Sequence, residues 1–114
     1  MAYGTRAAFE AVREVAFGSI GASYAAVGSA ITDHARLIRI VNATDAQVYI
    51  SVDGTTNQIR MAANSFFIMD FSANKVRDDG LFLPVGTVFY AKQVSGAPTT
   101  GGLWIEVVYA QGGV

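Results

Sequence analysis

The chain has 114 residues, 15% of them charged, and a formal net charge of −1, which suits one domain with one core. It contains no cysteine, so a disulfide framework and a thiolate zinc site are excluded. No apolar run approaches the roughly 20 residues that span a bilayer, and the first residues lack a signal-peptide pattern, so we expect a soluble, untargeted protein.

The choice of apolar and basic residues predicts a β-protein that binds other protein chains. The sequence has 13 Val and 8 Ile against 4 Leu, together with 12 Tyr or Phe. β-Branched and aromatic side chains favour strands. Six of the eight basic residues are Arg, which is enriched at protein interfaces where Lys is depleted. Together with the low charge, this composition favours burial against a partner.

The first 17 residues (MAYGTRAAFEAVREVAF) fit two local structures. Ala and Glu favour a short helix, in which Phe9, Val12 and Ala16 share one face. Residues 12–17 also alternate as a strand does. We expect an N-terminal arm over residues 1–17, extended or partly helical, followed by a β-sandwich domain over residues 18–114.

Short apolar runs separated by turn residues continue along the chain. The turns include Asp53-Gly54, Ala63-Asn64 and the loops at 72–80 and 95–102. The spacing of about 8 to 12 residues is typical of a sandwich or barrel. We predict an all-β fold, a jelly-roll-like antiparallel β-sandwich of about eight strands. Eight strands are expected within 18–114, at 23–27, 36–42, 46–52, 57–62, 66–71, 81–83, 87–94 and 103–110, and the arm leads into a further strand at 12–17.

Two of these strands are apolar on both faces, namely residues 66–71 (FFIMDF) and 103–109 (LWIEVVY). In a small sandwich only one face of each sheet lies in the core, so the second face needs another cover. A partner chain is the simplest candidate. The residues predicted to contact partners are Tyr3, Phe9, Val12, Phe17, Arg36, Arg39 and Trp104.

The sequence holds no constellation that predicts catalysis, a cofactor or a bound metal. His34 is the single histidine, and a base next to Asp33 alone does not make a catalytic site. Asp78 and Asp79, with Asn74 nearby, lack the regular ligand spacing of a calcium loop. We therefore predict a protein that is not an enzyme and binds no cofactor.

A nucleic-acid interface is also not expected. Arg36, Arg39 and Arg60 fall on predicted strands and provide the material for a basic stripe. A net charge of −1 argues against a phosphate-binding face.

Four segments of strand and turn residues form a recognisable pattern: 36–54 (RLIRIVNATDAQVYISVDG), 67–75 (FIMDFSANK), 81–87 (LFLPVGT) and 97–107 (APTTGGLWIEV). In these segments the chain resembles a group of small structural proteins of tailed bacteriophages. An upstream stretch beginning at residue 17 (FGSI) belongs to the same pattern. The similarity therefore covers nearly the whole chain, and its motifs are mainly turns and strands.

The resemblance implies a component of the virion, assembled in the host cytoplasm, most commonly a capsid decoration or cement protein. Such a protein is expected to bind the major capsid protein or other virion proteins and to self-associate as a dimer or trimer. Two alternatives stay open: a neck or tail component, and a receptor- or glycan-binding module of the tail. The last predicts exposed aromatic residues clustered near Tyr90, Trp104 and Tyr109.

Overall fold

The computed structural model describes residues 6–70 and 83–111, which form two antiparallel β-sheets packed into a sandwich. The predicted all-β sandwich is confirmed. The described residues contain one short 3₁₀ turn, Phe17–Ser19, and no α-helix. The strands are β1 (Arg6–Phe9), β2 (Arg13–Ala16), β3 (Ala25–Ala26), β4 (Ala35–Asn42), β5 (Val48–Ser51), β6 (Ile59–Met61), β7 (Ser65–Asp70), β8 (Tyr90–Gln93) and β9 (Gly102–Gln111).

The five-stranded sheet has the order β1-β9-β4-β7, and β2 also pairs with β9. The four-stranded sheet has the order β3-β8-β5-β6. Leaving β1 aside, the strands pair in a nested way, as β2 with β9, β3 with β8, β4 with β7, and β5 with β6. The first four of these eight strands therefore pair with the last four in reverse order.

The N-terminal segment is extended rather than helical over the described residues 6–16. β1 and β2 lie one after the other along β9, with Phe9 opposite Val108 and Glu14 opposite Trp104. The helical alternative is wrong here because the main-chain groups of this segment bond to β9 rather than to each other. The segment forms an edge of the five-stranded sheet.

The predicted turns are confirmed where the structure describes them. Gly54 and Asn64 have φ angles of 77° and 53°, the left-handed region that Gly and Asn tolerate best. The Asp53 carboxylate accepts hydrogen bonds from the amides of Thr55 and Thr56 at 2.9 and 2.8 Å, which shapes the loop between β5 and β6. The predicted polar loop 72–80 and most of the strand predicted at 81–83 lie outside the described residues. Leu83 itself forms a bridge with Ala35.

The core lies between the two sheets and is built from alternate strand residues. β4 contributes Ile38 and Ile40, and β9 contributes Leu103, Ile105 and Val107, each no more than 2% exposed. The four-stranded sheet supplies the opposite layer. The members of that layer include Val27, Val48, Ile50, Met61, Phe89 and Ala91. The many Ile and Val residues of the sequence thus supply most of the side chains that fill the interior.

Asn42 and Thr44 form a polar network that is fully buried at the end of β4. The Asn42 amide donates to the carbonyl oxygens of Ala46 and Ala62, both at 2.9 Å. Its carbonyl oxygen accepts from the amide and the hydroxyl of Thr44 at 3.1 and 2.6 Å. This side chain therefore ties the β4–β5 turn to the end of β6.

Replacing Asn42 with Ala should destabilise the protein by about 3 kcal/mol, because it leaves several buried polar groups without partners. Urea unfolding followed by circular dichroism measures the change. Thr44→Val removes one donor of the same network and should cost less. Equal stability of Asn42→Ala and the wild type would contradict the role of this side chain in the turn.

Candidate functional site

The outer face of the five-stranded sheet, meaning its side that points away from the core, is unusually apolar. Strand alternation sends every second residue of β4, β7 and β9 to this face. Its most exposed apolar side chains are those of Phe9 (75%), Phe66 (62%), Ile68 (56%) and Val12 (54%). Large apolar groups are seldom left in such proximity on a monomer unless the patch has a binding role.

Half-buried apolar side chains connect these four residues into one surface. Leu37 and Val41 of β4 lie opposite Val108 and Trp104 of β9. Val41 also lies opposite Phe66 of β7. The apolar surface thus extends from the β1 edge of the sheet to the β7 edge, with a shallow depression of about 320 Å³ at its centre.

One ion pair lies in the middle of this face. Arg39 and Glu106 are opposite each other on β4 and β9, and two parallel hydrogen bonds join them, from Nε at 2.5 Å and from Nη2 at 2.8 Å. The hydrogen bond from Arg39 lowers the pKa of the Glu106 carboxyl, and the same bond raises the pKa of Arg39. Both side chains remain about 40% exposed, at 44% and 38%, so they are accessible to a partner.

The structure brings together four of the seven predicted contact residues, namely Phe9, Val12, Arg39 and Trp104. Phe17 lies instead in the 3₁₀ turn after β2, 38% exposed. Arg36 falls in the register shift between Ala35 and Leu37, half-buried. Tyr3 lies outside the described residues.

Phe66, Ile68 and Glu106 belong to the same face, although they were not among the predicted contact residues. The signal for the first two was present, because residues 66–71 are apolar on both faces of one strand. Glu106 became identifiable only from the register of β4 against β9, which joins positions 67 residues apart. Local patterns do not fix such a register.

A second polar feature fixes the N-terminal strands to the rest of the sandwich. Arg13 and Glu10 form an ion pair at 2.7 Å with side chains only 8% and 5% exposed. Arg13 also donates to the carbonyl oxygens of Ser29 and Ala30 at 2.8 and 2.9 Å. Glu10 accepts from the amide of Asp33 at 2.9 Å. We call the side chains of Glu10 and Arg13 the clasp, since they join the β1–β2 junction to the loop 29–33.

The clasp should make stability depend on pH in the acid range. Burial raises the pKa of the Glu10 carboxyl, but the hydrogen bonds from Thr32 and Arg13 outweigh this, and the pKa lies below its ordinary value of 4.5. A lowered pKa in the folded state contributes stability above pH 4.5 that is lost as the pH falls through the lowered value.

The wild type should therefore be clearly more stable than Glu10→Gln at neutral pH, and the difference should shrink below the ordinary pKa of 4.5. Urea unfolding of both proteins across this pH range tests the expectation. A difference that is constant with pH would show that the Glu10 charge contributes no stability.

The outer face of the four-stranded sheet carries a different surface. The Lys92 ammonium lies 4.8 Å from the centre of the Tyr24 ring and 5.8 Å from that of Tyr49. Arg60 donates to the Gln47 side chain at 2.6 and 2.9 Å. The side chains of this face are thus polar or aromatic and contact one another, so this face is more polar than that of the five-stranded sheet.

The aromatic cluster expected for a glycan-binding module does not form. Tyr90 lies on β8 in the four-stranded sheet, whereas Trp104 and Tyr109 lie on β9 in the five-stranded sheet. Trp104 and Tyr109 are also an odd number of residues apart on one strand, so they point to opposite faces.

The three arginines that could have formed a basic stripe are also separated. Arg60 lies on β6 and Arg36 and Arg39 lie on β4, and these strands belong to different sheets.

The candidate catalytic and metal-binding residues are dispersed. His34 accepts a hydrogen bond from the Val85 amide through Nδ1 at 3.1 Å, and the Asp33 carboxylate accepts one from the Thr32 hydroxyl. Among residues 6–70 and 83–111, no three His, Asp or Glu side chains are grouped to hold a metal ion. Asn74, Asp78 and Asp79 lie outside these ranges.

Comparisons with protein-family models, with curated proteins and with solved structures return no match for this chain. Within the described part of the chain, no helix has the length and apolar character needed to cross a membrane.

Proposed function

We propose that the chain is a structural protein of a virus particle, a head decoration or cement protein that binds the assembled major capsid protein. The observation that carries this proposal is the apolar outer face of the five-stranded sheet. Phe9, Phe66 and Ile68 each expose more than half of their surface there. Such a face suits a subunit of an assembly, in contact with the capsid protein or with a second copy of this chain, better than it suits a chain that functions alone in water.

The strand order supports the same proposal. Taken as eight strands, β2 to β9 pair first with last, second with seventh, third with sixth and fourth with fifth. We infer from this nested pairing that the sandwich is a jelly roll, an architecture that viral capsid domains use. The sequence resemblance to phage structural proteins agrees with this inference.

The mechanism would be stabilisation by mass action. A protein that binds the assembled shell but not its dissociated subunits lowers the free energy of the assembled state and leaves that of the subunits unchanged. Many weakly bound copies on one particle act together, so each contact can be modest. No catalytic group is needed for this activity.

Adding the purified protein to expanded capsids that lack it tests the proposal. We expect saturable binding in a sedimentation assay and a higher melting temperature of the decorated shells. Capsids that already carry a full complement serve as the matched control and should bind no more. Failure to bind expanded shells, with binding to purified necks or tails instead, would contradict a decoration role.

Deleting the N-terminal segment is a poor way to map the contact. A deletion of residues 1–11 removes β1, which pairs with β9, and also Glu10 of the clasp. Loss of binding would then report a damaged fold as readily as a lost contact. Single substitutions on the exposed face separate the two effects.

A further inference from the structure

The central row of the outer face has a pattern that is complementary to itself. Crossing the sheet from β7, the row reads Ile68, Arg39 and Glu106, since Arg39 lies opposite both neighbours. Val12 closes the row at the β1–β2 junction, beside the same central depression. The order is therefore apolar, positive, negative, apolar.

A second copy related by a two-fold axis parallel to the strands presents this row in reverse order. Ile68 then faces Val12 of the second copy, and Arg39 faces Glu106 of the second copy. Within this central row, each charge meets its opposite and each apolar end meets an apolar end. An axis perpendicular to the strands would place Arg39 against Arg39, which like-charge repulsion disfavours. The charge order thus selects one of the two symmetric ways to stack the faces.

The composition of the face also suits a homodimer. Its exposed residues include Phe9, Phe66 and Arg39, with Trp104 between them, while Glu14 and Asp70 add two exposed carboxylates opposite Trp104 and Leu37. The described lysine, Lys92, lies on the other sheet. Aromatic residues and Arg are enriched at the centre of such interfaces, and Lys is depleted. A two-fold contact uses the same patch on both subunits, so a pattern that complements itself is the required property.

We propose that the outer face of the five-stranded sheet is a dimer interface, which binds a second copy of this chain about a two-fold axis parallel to the strands. This inference rests on the proposed function and deepens it by assigning the apolar face to self-association, so that the dimer would bind the capsid protein through surfaces other than this face. The two sheets would then pack with nearly parallel strands, the aligned geometry common to stacked sheets. Arg39 and Glu106 fix the register of the two copies.

Charge reversal at the central pair tests the proposal by sedimentation equilibrium. We expect the wild type to be a dimer. Arg39→Glu and Glu106→Arg should each weaken dimerisation by at least about tenfold, since each places like charges opposite one another. A mixture of the two variants should form heterodimers, because the row of one complements the row of the other. A change that merely damages the fold cannot produce this rescue.

Two further variants separate a lost contact from a damaged fold. Arg60→Glu reverses an exposed charge on the opposite sheet and should leave the dimer unchanged. Ile68→Lys places a charge at the end of the row and should also dissociate the dimer. Circular dichroism shows whether each variant is folded. If a charge-reversal variant is not folded, Ile68→Lys still tests the interface.

A monomeric wild type would overturn the inference, as would a dimer that survives both Arg39→Glu and Ile68→Lys. Two folded charge-reversal variants that fail to associate when mixed would overturn the proposed contact between the central charges of the two copies. A wild-type monomer that binds capsids, and loses that binding with Ile68→Lys, would assign the face to the capsid subunit. In that case the inference fails and the proposed function stands. A wild-type dimer that does not bind capsids would support the inference and contradict the proposed function.

Discussion

Gly101→Ala should be the most damaging glycine-to-alanine change among the described glycines, since its added Cβ would make the closest contact. A Cβ atom at residue 101 would lie 2.0 Å from the carbonyl oxygen of Ala43, far inside van der Waals contact. The atom that it meets is backbone, held by the bond from the Ala43 amide to the Gly102 carbonyl at 2.9 Å. Because neither backbone segment can shift easily, we expect a loss of about 4 kcal/mol or more.

A matched glycine separates this clash from conformational strain. Gly86 has a φ angle of 92°, close to the 89° of Gly101, but a Cβ there meets nothing within 4 Å. Gly86→Ala should therefore lower the free energy of unfolding by only about 1 to 2 kcal/mol, the strain of placing Ala in the left-handed conformation. Urea unfolding of both variants measures the difference. If Gly101→Ala and Gly86→Ala are equally stable, the close approach of the β9 start to the β4–β5 turn is wrong.

Arg13→Met should also destabilise the protein strongly. It leaves the Glu10 carboxylate, 5% exposed, without its positive partner and leaves the Ser29 and Ala30 carbonyl oxygens without the donors of Arg13. Breaking a buried ion pair by removing one partner typically costs about 3 to 5 kcal/mol. Urea unfolding at neutral pH measures the loss. Arg60 is an exposed arginine that donates to one side chain, so Arg60→Met should have nearly the same free energy of unfolding as the wild type.

The double variant Glu10→Gln/Arg13→Met shows whether the clasp acts as a unit. With the charge of Glu10 removed, the second substitution no longer strands a buried ion, so the double variant should be more stable than the sum of the single effects implies. Additive losses would contradict direct coupling between the two side chains.

The fold was largely predictable because its signals are local. Alternation of apolar and polar residues is strongest in 46–52 and 36–42, and strands β5 and β4 lie there. Asn64 and Gly54, which the sequence places in turns, adopt the left-handed conformation that those turns require. Strand ends are less well predicted, as β8 covers 90–93 of a predicted 87–94, because pairing partners decide where a strand stops.

The sequence predicted an apolar second face on one sheet, but not which residues pair on that face. Two strands that are apolar on both faces indicated a covered second face, and Trp104 was identified from one of them. The pairing of Arg39 with Glu106 depends on the register between β4 and β9. The burial of Arg13 depends on the loop 29–33, which approaches it only in the folded chain. A charged residue within a strand ordinarily indicates a solvent-exposed position, so the clasp had no local signal.

The central claim, a structural role on the head of a virus particle, is tested most directly by the number of copies per particle. Quantitative mass spectrometry of purified particles gives the molar ratio of this chain to the major capsid protein. We predict a ratio of the same order as one, as expected for a protein that decorates the shell throughout. A ratio that corresponds to a single ring of subunits, or absence from the particle, would contradict the claim.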